Sequence, residues 1–514
     1  MTWNDLIAIL PLATLAVWAL LLLLVDLWIP PGRKGITALL AAAGLLVALG
    51  LALSFSGQSQ TAFNGMVVVD GFAIFLNVLF LASGLAAILL AYDYLKRMQI
   101  ERGEYYSLLL FTITGMILMT YANDLIIVFL ALELLSLPLY VMTGFAHKRC
   151  YPQGAELHSA NQPGTSGEVE KLPGCIPLES ALKYFMLGAF ATGFVLYGVA
   201  LIFGVTGHTN LTQVVKAVRQ AGIAQQAPFL GLSGLFLIGA ALLLVGFGFK
   251  SGLVPFHMWI PDVYQGAPSP VTGFMSVGAK AAGFAALLRV FVTAFPMLSG
   301  ALTPVLWVLA ALTMILGNVV AIAQSNMKRM LAYASIAQSG YILMAFMPYG
   351  NGNVLKDTIA SMLFYLVAYG ITTFGAWSVV IVMERAEGEG LSVNDYAGLG
   401  RKSPWLAAAM TIFMLSFAGV PLTLGFWGKL YLFSTVVEGQ FIGLAVVGLL
   451  TSLISVYYYL RVVVVMYMHP GDPQVHREPW INLSALAAAV IVLALSILPG
   501  PLLALASQAL LLVQ

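Results

Sequence analysis

The chain has 514 residues, of which 61% are hydrophobic and 9% are charged, and its formal net charge is +2. Water-soluble domains contain about 45–50% apolar and about 25% charged residues, so this composition excludes a soluble globular protein. No basic block suggests nucleic-acid binding. Two cysteines are too few for a disulfide framework or a four-cysteine metal site. The composition indicates an all-α polytopic membrane protein.

Apolar runs broken by glycine, proline or charge predict about 14 transmembrane helices, since one crossing takes about 20 apolar residues. The runs are continuously apolar rather than alternating, which argues against a β-barrel. Lys and Arg are absent before Arg33, so we expect residues 1–28 to be a retained first span and not a cleaved signal. The approximate centres of the predicted spans are Ala16, Gly44, Ala82, Thr112, Leu132, Ala191, Leu243, Gly283, Ala311, Ile336, Ala368, Phe413, Val456 and Val490.

The distribution of basic residues predicts the orientation of these spans. Loops that follow odd-numbered spans hold nearly all the loop Lys and Arg, whereas the other side holds only Lys216, Arg219 and Lys356. Because basic loops stay in the cytoplasm, we expect both termini on the opposite side of the membrane.

The longest loop, residues 146–179, contains Cys150 and Cys175 in a stretch rich in Gly, Pro and Ser. A zinc site with His147 and His158 is conceivable, but the spacing matches no known zinc finger. A solvated insertion with free thiols is the better interpretation for a cytoplasmic loop.

Six ionisable residues fall deep within the predicted spans: Glu133, Lys183, Lys250, Lys280, Arg289 and Lys429. Each costs about 2.5–3.5 kcal/mol at a helix centre even on the lenient insertion scale, so a purely structural protein has little reason to keep them. Lys183 could pair with Glu133 or extend toward the cytoplasm. Arg289 is expected to pair or extend in the same way, because a guanidinium does not release protons. The remaining three lysines favour a functional role, since buried amines can exchange protons near neutral pH.

Two spans are interrupted in the same manner. Lys250 precedes Val254-Pro255 in the seventh span, and Lys429 follows Val420-Pro421 in the twelfth, each with glycines nearby. Proline removes an intrahelical hydrogen bond, and paired broken helices in two halves of a chain are typical of transporters. The pattern predicts discontinuous helices, with ordinary proline kinks as the alternative. His257 follows the first break, where a proton relay and a structural hydrogen bond are both open; metal binding is improbable.

Redox chemistry has no signature in this sequence. It has no cysteine cluster for iron–sulfur, no convincing facing histidine pair for haem and no glycine-rich dinucleotide loop. The energy for transport is therefore expected from outside the chain or from an ion gradient.

Six motifs are distinctive in this chain: Val69-Asp-Gly-Phe72, Phe129-Leu-Ala-Leu-Glu133-Leu-Leu-Ser-Leu-Pro138, Glu179-Ser-Ala-Leu-Lys183-Tyr-Phe, Gly248-Phe-Lys250 through His257-Met-Trp-Ile-Pro-Asp262 to Pro268, Asn326-Met-Lys328 to Ile336, and Gly425-Phe-Trp-Gly-Lys429. In these motifs the chain resembles the antiporter-like membrane subunits of bacterial proton-translocating NADH–quinone oxidoreductase (respiratory complex I), and within them the subunit N family. The resemblance covers essentially the whole chain, although the 146–179 loop is longer than expected for that family.

The resemblance implies a role for each site residue. Glu133 would face the neighbouring subunit, Lys250 would be the central proton-holding lysine, and Lys280 would link to the cytoplasmic access route. Lys429 would lie near the exit or the next subunit, Lys183 would be the sixth-helix lysine, and His257 would be the relay histidine. Two inverted five-helix repeats are also implied, giving residues 1–103 as helices 1–3, 104–295 as repeat one, 296–470 as repeat two and 471–514 as the last helix.

The implied function is proton translocation driven by quinone reduction elsewhere in the complex, with no cofactor and no metal in this chain. NADH, FMN, iron–sulfur clusters and quinone would belong to partner subunits, and the partners would be other membrane-arm subunits and the lipid bilayer. Two alternatives stay open, namely a stand-alone cation/proton antiporter and a passive scaffold subunit.

Overall fold

The computed structural model describes residues 3–146, 176–222, 231–385, 390–476, 478–509 and 511. Most of this part is helical, and the centre of every predicted span lies within a helix. The helices are α1 Trp3–Ala8, α2 Leu10–Asp26, α3 Gly35–Ser54, α4 Gly71–Arg97, α5 Glu104–Tyr121, α6 Leu125–Thr143, α7 Ile176–Thr206, α8 Leu211–Gln220, α9 Gly231–Ser251, α10 Trp259–Gly266, α11 Ser269–Phe274, α12 Lys280–Ala294, α13 Ser299–Ile322, α14 Met327–Phe346, α15 Leu355–Met383, α16 Leu399–Lys402, α17 Pro404–Ala418, α18 Leu424–Glu438, α19 Ile442–Met468, α20 Pro479–Ile497 and α21 Gly500–Gln508.

Eleven helical stretches in the described part are long and apolar enough to cross a membrane. Two shorter apolar helices, α2 and α17, fall below that length. The predicted number of fourteen crossings, the two inverted repeats and the four sequence-based divisions therefore stay predictions, while the all-helical membrane architecture is confirmed.

Short polar residues begin several of these helices where an apolar run starts. The side chain of Asp70 accepts from the amide of Ala73 at 2.9 Å, and that of Asp124 accepts from Ile126 at 2.9 Å. Such caps satisfy amides that have no partner in the first helical turn. A small antiparallel hairpin, β1 Gln60–Ala62 and β2 Val67–Val69, pairs Thr61 with Val68 between α3 and α4.

Contacts between loops define two faces of the bundle. On one face Arg97 lies 2.9 Å from Glu478, Lys402 lies 2.6 Å from Asp472, and Lys328 donates to the loop before α11. We call this side the basic face. The hairpin lies on the opposite face, where Asn123 and Asn210 both donate to the carbonyl of Gly65.

The stretch from Ser269 to Ala294 runs through the middle of the bundle. It comprises α11, a π-helical segment Met275–Ala279 and α12, and all its residues are buried. Glycine lets neighbouring helices approach this closely: a Cβ on Gly283 would lie 2.7 Å from the Ser251 hydroxyl. The centre of the bundle is therefore tightly packed, and it brings Lys280 close to the end of α9.

Candidate functional site

The structure shows both predicted helix interruptions. The first lies between Ser251, the last residue of α9, and Trp259, the first of α10. The second lies between Ala418 and Leu424, where Gly419 takes a φ of +78°. Each break ends a helix inside the bundle and leaves backbone carbonyls that need other donors.

Lys250 occupies the last turn of α9 with 4% of its surface exposed. Its ammonium donates to the hydroxyl of Ser136 at 2.7 Å and to that of Tyr184 at 3.2 Å. No carboxylate pairs with it within the described ranges. Since a hydroxyl can donate or accept, both partners suit this lysine with or without its extra proton.

Glu133 lies on α6 one turn before Ser136, on the outer side of the same helix. It is half-buried, its neighbours Leu130 and Leu137 are about half exposed, and its charge acts on Lys250. It makes no hydrogen bond or ion pair with any residue that the structure describes. Glu133 is thus placed between the surface of the bundle and the buried lysine.

Lys280 is the first residue of α12 and is 2% exposed. Its ammonium donates to the carbonyl and the hydroxyl of Ser335 on α14. One turn later, the Ser339 hydroxyl lies 2.6 Å from the carbonyl of Ser251, which follows Lys250 directly. Two serines of α14 therefore join the surroundings of Lys280 to the first helix break.

Lys429 on α18 fills the second break. Its ammonium donates to the carbonyls of Phe417 and Ala418 at 2.9 and 3.0 Å, and to the Ser452 hydroxyl at 2.8 Å. The two carbonyls belong to the interrupted end of α17. The two carbonyls only accept and the Ser452 hydroxyl can accept as well, so these partners match the three donors of an ammonium group, unlike the hydroxyl pair around Lys250.

A cavity of about 10 Å³ lies between the surroundings of Lys280 and Lys429. That volume is close to what one water molecule needs. Gln338 lines it and donates to the carbonyl of Phe417 at 3.5 Å, while Tyr365 donates to the Gln338 side chain. Polar groups thus continue from Ser335 through Gln338 to the carbonyl that binds Lys429.

His257 lies in the loop between α9 and α10 and is 6% exposed. Its Nδ1 atom is buried and has no hydrogen-bond partner among the described residues, and no hydrogen bond joins its ring to Lys250 or Lys280 there. The structure therefore places the histidine at the predicted break but outside direct contact with the lysines.

Lys183 lies at the start of α7 and not deep within a span, and of the two alternatives for it the structure agrees with extension toward the basic face. Its side chain is 43% exposed there and lies 2.8 Å from Glu179 and 2.9 Å from Asp262. Arg329 binds the other oxygen of Asp262 at 2.9 Å. The alternative pairing with Glu133 does not occur, because Glu179 lies one turn away on the same helix and the fold brings Asp262 beside it.

Arg289 is buried in α12 with 1% of its surface exposed. It binds both carboxylate oxygens of Asp70, at 2.6 and 2.8 Å, and the carbonyl of Thr120 at 2.8 Å. The expected structural pairing is confirmed, and this guanidinium holds no proton in transit.

No group of three or more His, Cys, Asp or Glu side chains that could hold a metal ion occurs in the described ranges. The zinc alternative with His147, His158, Cys150 and Cys175 lies outside the described residues.

Sequence reasoning missed the hydroxyl partners of the three lysines, namely Ser136, Tyr184, Ser335 and Ser452. It also missed Ser339 and Gln338, which donate to backbone carbonyls at the two helix breaks. Ser136 carried a usable signal, because it lies three residues after Glu133 on the same helix face. The others come from distant helices and carry no local signal.

Comparisons with known proteins agree with this geometry. A family model described as NADH:quinone oxidoreductase/Mrp antiporter, TM, matches residues 176–455. NADH-quinone oxidoreductase subunit N of Trichlorobacter lovleyi is 43% identical over 498 residues, which cover 96% of this chain and 94% of that protein. A chain in the structure of respiratory complex I from Thermus thermophilus with bound aureothin is 35% identical, with a TM-score of 0.76, covering 97% of this chain and 99% of that one.

A chain in the structure of the Mrp complex from Dietzia sp. has a TM-score of 0.79 over 99% of this chain and 97% of its own. At 20% identity this likeness shows the fold alone. The two matches at higher identity extend over nearly the full length of both chains. The chain therefore belongs to the NADH:quinone oxidoreductase/Mrp antiporter membrane family, and within it to the subunit N proteins of NADH-quinone oxidoreductase.

Proposed function

We propose that this chain moves protons across the membrane as a membrane-arm subunit of NADH–quinone oxidoreductase. One observation carries the proposal: Lys250, Lys280 and Lys429 are each at most 5% exposed and have no carboxylate partner among the described residues. A structural protein has little reason to bury three unpaired amines, since each costs several kcal/mol.

The hydrogen bonds of the three lysines support a different role in proton transfer for each. Lys250 has hydroxyl partners that suit either protonation state, so it is suited to gaining and losing a proton in each cycle. Lys429 binds two carbonyls and is best satisfied as the ammonium form. Lys280, which binds Ser335, lies between Lys250 and Lys429 and transfers protons to either of them.

Glu133 supplies the electrostatic input in this proposal. Two unit charges about 6 Å apart interact by about 3 kcal/mol at an effective dielectric of about 20. A change of charge at Glu133, half-buried on the outer side of α6, is therefore large enough to shift the proton occupancy of Lys250 by about a hundredfold. His257 at the first break and Lys183 at the basic face are assigned to proton transfer near the ends of this route.

The partners follow from the family. Other membrane-arm subunits would pack against the exposed apolar helices, with Glu133 near one such neighbour. NADH, FMN, iron–sulfur clusters and quinone would bind in those partner subunits, whose redox chemistry drives the pump. We place the chain in a bacterial inner membrane, with the basic face in the cytoplasm and both termini in the periplasm, because basic loops are retained inside.

The test uses the assembled complex reconstituted in vesicles, with proton pumping measured per NADH oxidised. Lys250→Ala and Lys280→Ala are expected to lower pumping by about a hundredfold, the lower range for loss of a positioned proton-transfer group. Lys216→Ala, on the exposed side of the surface helix α8, serves as the matched control and should pump normally.

Unchanged pumping in assembled Lys250→Ala complexes would overturn the proposal in favour of a scaffold role. Sodium-dependent proton flux by the isolated chain, with complex activity unaffected by its deletion, would instead identify a stand-alone antiporter.

A further inference from the structure

A buried carboxylate lies where α15 reaches the basic face. Glu384 directly follows the last residue of α15 and is 2% exposed. The Tyr94 hydroxyl donates to one of its oxygens at 3.2 Å, and the Ser269 hydroxyl to the other at 2.5 Å. Ser269 is the first residue of the buried stretch 269–294 that contains Lys280.

Positive charges surround this carboxylate on several elements. Arg97 of α4 donates to a carbonyl in the last turn of α15, and Lys328 of α14 donates to the loop before α11. Arg385 follows directly in the sequence. The buried hydroxyl of Tyr396, on which the charge of Glu384 acts, has no hydrogen-bond partner in the described part.

Polar side chains continue from Ser269 toward the interior. Thr272, Ser276 and Lys280 follow it at intervals of three or four residues along the same helical stretch, which includes the π-helical segment Met275–Ala279. All four are buried.

The C-terminal half of α15 runs alongside this helix in the opposite direction. Four distances define the register of the two helices. Glu384 lies 2.5 Å from Ser269 at one end, and the Tyr369 ring centroid lies 5.3 Å from the Lys280 ammonium at the other. Between them, a Cβ placed on Gly273 would lie 3.3 Å from Trp377, and a Cβ placed on Gly370 would lie 2.9 Å from Val277. One helix interface therefore leads from Glu384 to Lys280.

Thr373 of α15 marks the inner end of this interface. Its hydroxyl is buried without a hydrogen-bond partner among the described residues and lines the cavity of about 10 Å³. Ser335, which binds Lys280, lines the same cavity. Buried hydroxyl groups of this kind are satisfied by ordered water, which is also a carrier of protons.

We propose that Glu384 is the group through which protons enter this subunit from the basic face on their way to Lys280. The carboxylate takes a proton from water at that face and passes it along the hydroxyl groups and water of the α11–α15 interface. Each hydroxyl or water on the way accepts one proton and releases another, and the lysine amine accepts the last one and becomes an ammonium, so the net change is the transfer of one proton. This inference rests on the proposed function, since it supplies the lysine route with its source.

The experiment compares Glu384→Gln and Thr373→Val with Glu438→Gln in the reconstituted complex. Glutamine keeps the shape of the side chain but cannot carry the proton, and valine keeps the shape of Thr373 while removing its hydroxyl. Both variants are expected to slow proton pumping by about tenfold or more while the amount of this subunit in the purified complex, measured by immunoblot, is unchanged. Glu438 is exposed at the other end of the bundle, and its variant should pump normally.

Normal pumping by assembled Glu384→Gln overturns the proposal. If that variant does not assemble, Thr373→Val decides: normal pumping in it overturns the proposal, and slow pumping supports it. Lys280→Ala distinguishes this inference from the function on which it rests. If Lys280→Ala stops pumping while Glu384→Gln and Thr373→Val do not, only the entry role of Glu384 is wrong; if none of the three stops pumping, the proposed function is wrong as well.

Discussion

Arg289 and Asp70 form a bidentate ion pair in the interior of the bundle, with nitrogen–oxygen distances of 2.6 and 2.8 Å. The pair ties α12 to the first residue before α4, and 219 residues separate its two members. Both side chains are essentially inaccessible, at 1% and 0% exposure. A guanidinium and a carboxylate so placed satisfy one another and hold the central helix in position.

Breaking this pair from one side should lower the stability of the subunit sharply. Arg289→Met and Asp70→Asn each leave a buried group without its partner, at a cost of about 3–5 kcal/mol. The double variant should be less damaging than the sum of the two, because neither charge is then left unpaired. The measurement is the thermal inactivation midpoint of the solubilised complex. Strictly additive losses would contradict this interpretation.

Removal of the Ser136 hydroxyl should impair proton transfer without disturbing the fold. Ser136→Ala takes away the 2.7 Å partner of Lys250, and a hydrogen bond to a charged group is worth about 1.5–3 kcal/mol. We expect pumping to fall by about tenfold. Thr192→Ala is the control, since that hydroxyl lies near Lys250 but bonds to a carbonyl of its own helix. Equal effects of the two variants would show that the Ser136 contact has no special role.

At the second break α17 and α18 lie so close together that we expect no residue larger than glycine to fit at Gly425. A Cβ there would lie 1.8 Å from the carbonyl oxygen of Ser416 and 2.7 Å from its carbon. Both are backbone atoms of α17, which cannot move away by a change of side-chain rotamer. Gly425→Ala is expected to prevent accumulation of the subunit in membranes, as judged by immunoblot. Gly443→Ala, where a Cβ meets nothing within 4 Å, should accumulate normally. Normal assembly of Gly425→Ala would mean that the break can shift.

The loop that carries Glu478 should make stability depend on pH. Burial raises the pKa of Glu478 from 4.5 to about 7, and the nearby Arg97 opposes this only in part. The unfolded chain releases this proton near its ordinary pKa while the folded chain keeps it, so stability falls as pH rises from about 5 to about 7. After allowance for solvent screening, the fall is about 1 kcal/mol.

Glu478→Gln stays neutral and should remove this part of the pH dependence, whereas Glu438→Gln should leave it in place. The midpoint of thermal inactivation, followed from pH 5 to pH 7.5, measures both. Identical slopes in the wild type and Glu478→Gln would contradict the prediction.

The helix breaks could be predicted from sequence because their cause is local. Proline, glycine and lysine within an apolar run conflict with a continuous membrane helix wherever they occur. The partners of the lysines could not be predicted in this way, since Ser136 and Ser335 come from helices far along the chain from Lys250 and Lys280. For Lys183, the position on a helix could be predicted from sequence but the direction in which its side chain extends could not. The carboxylate that it binds, Asp262, is 79 residues away in the chain.

The complete burial of residues 269–294 restricts how a neighbouring subunit could influence Lys280. No side chain of that stretch is available to lipid or to another protein, so a neighbouring subunit cannot contact it directly. A neighbouring subunit has to contact an outer helix first, for example at half-exposed Glu133 on α6. The central segment is therefore shielded from direct contact, and a neighbouring subunit reaches it only through the helices that surround it.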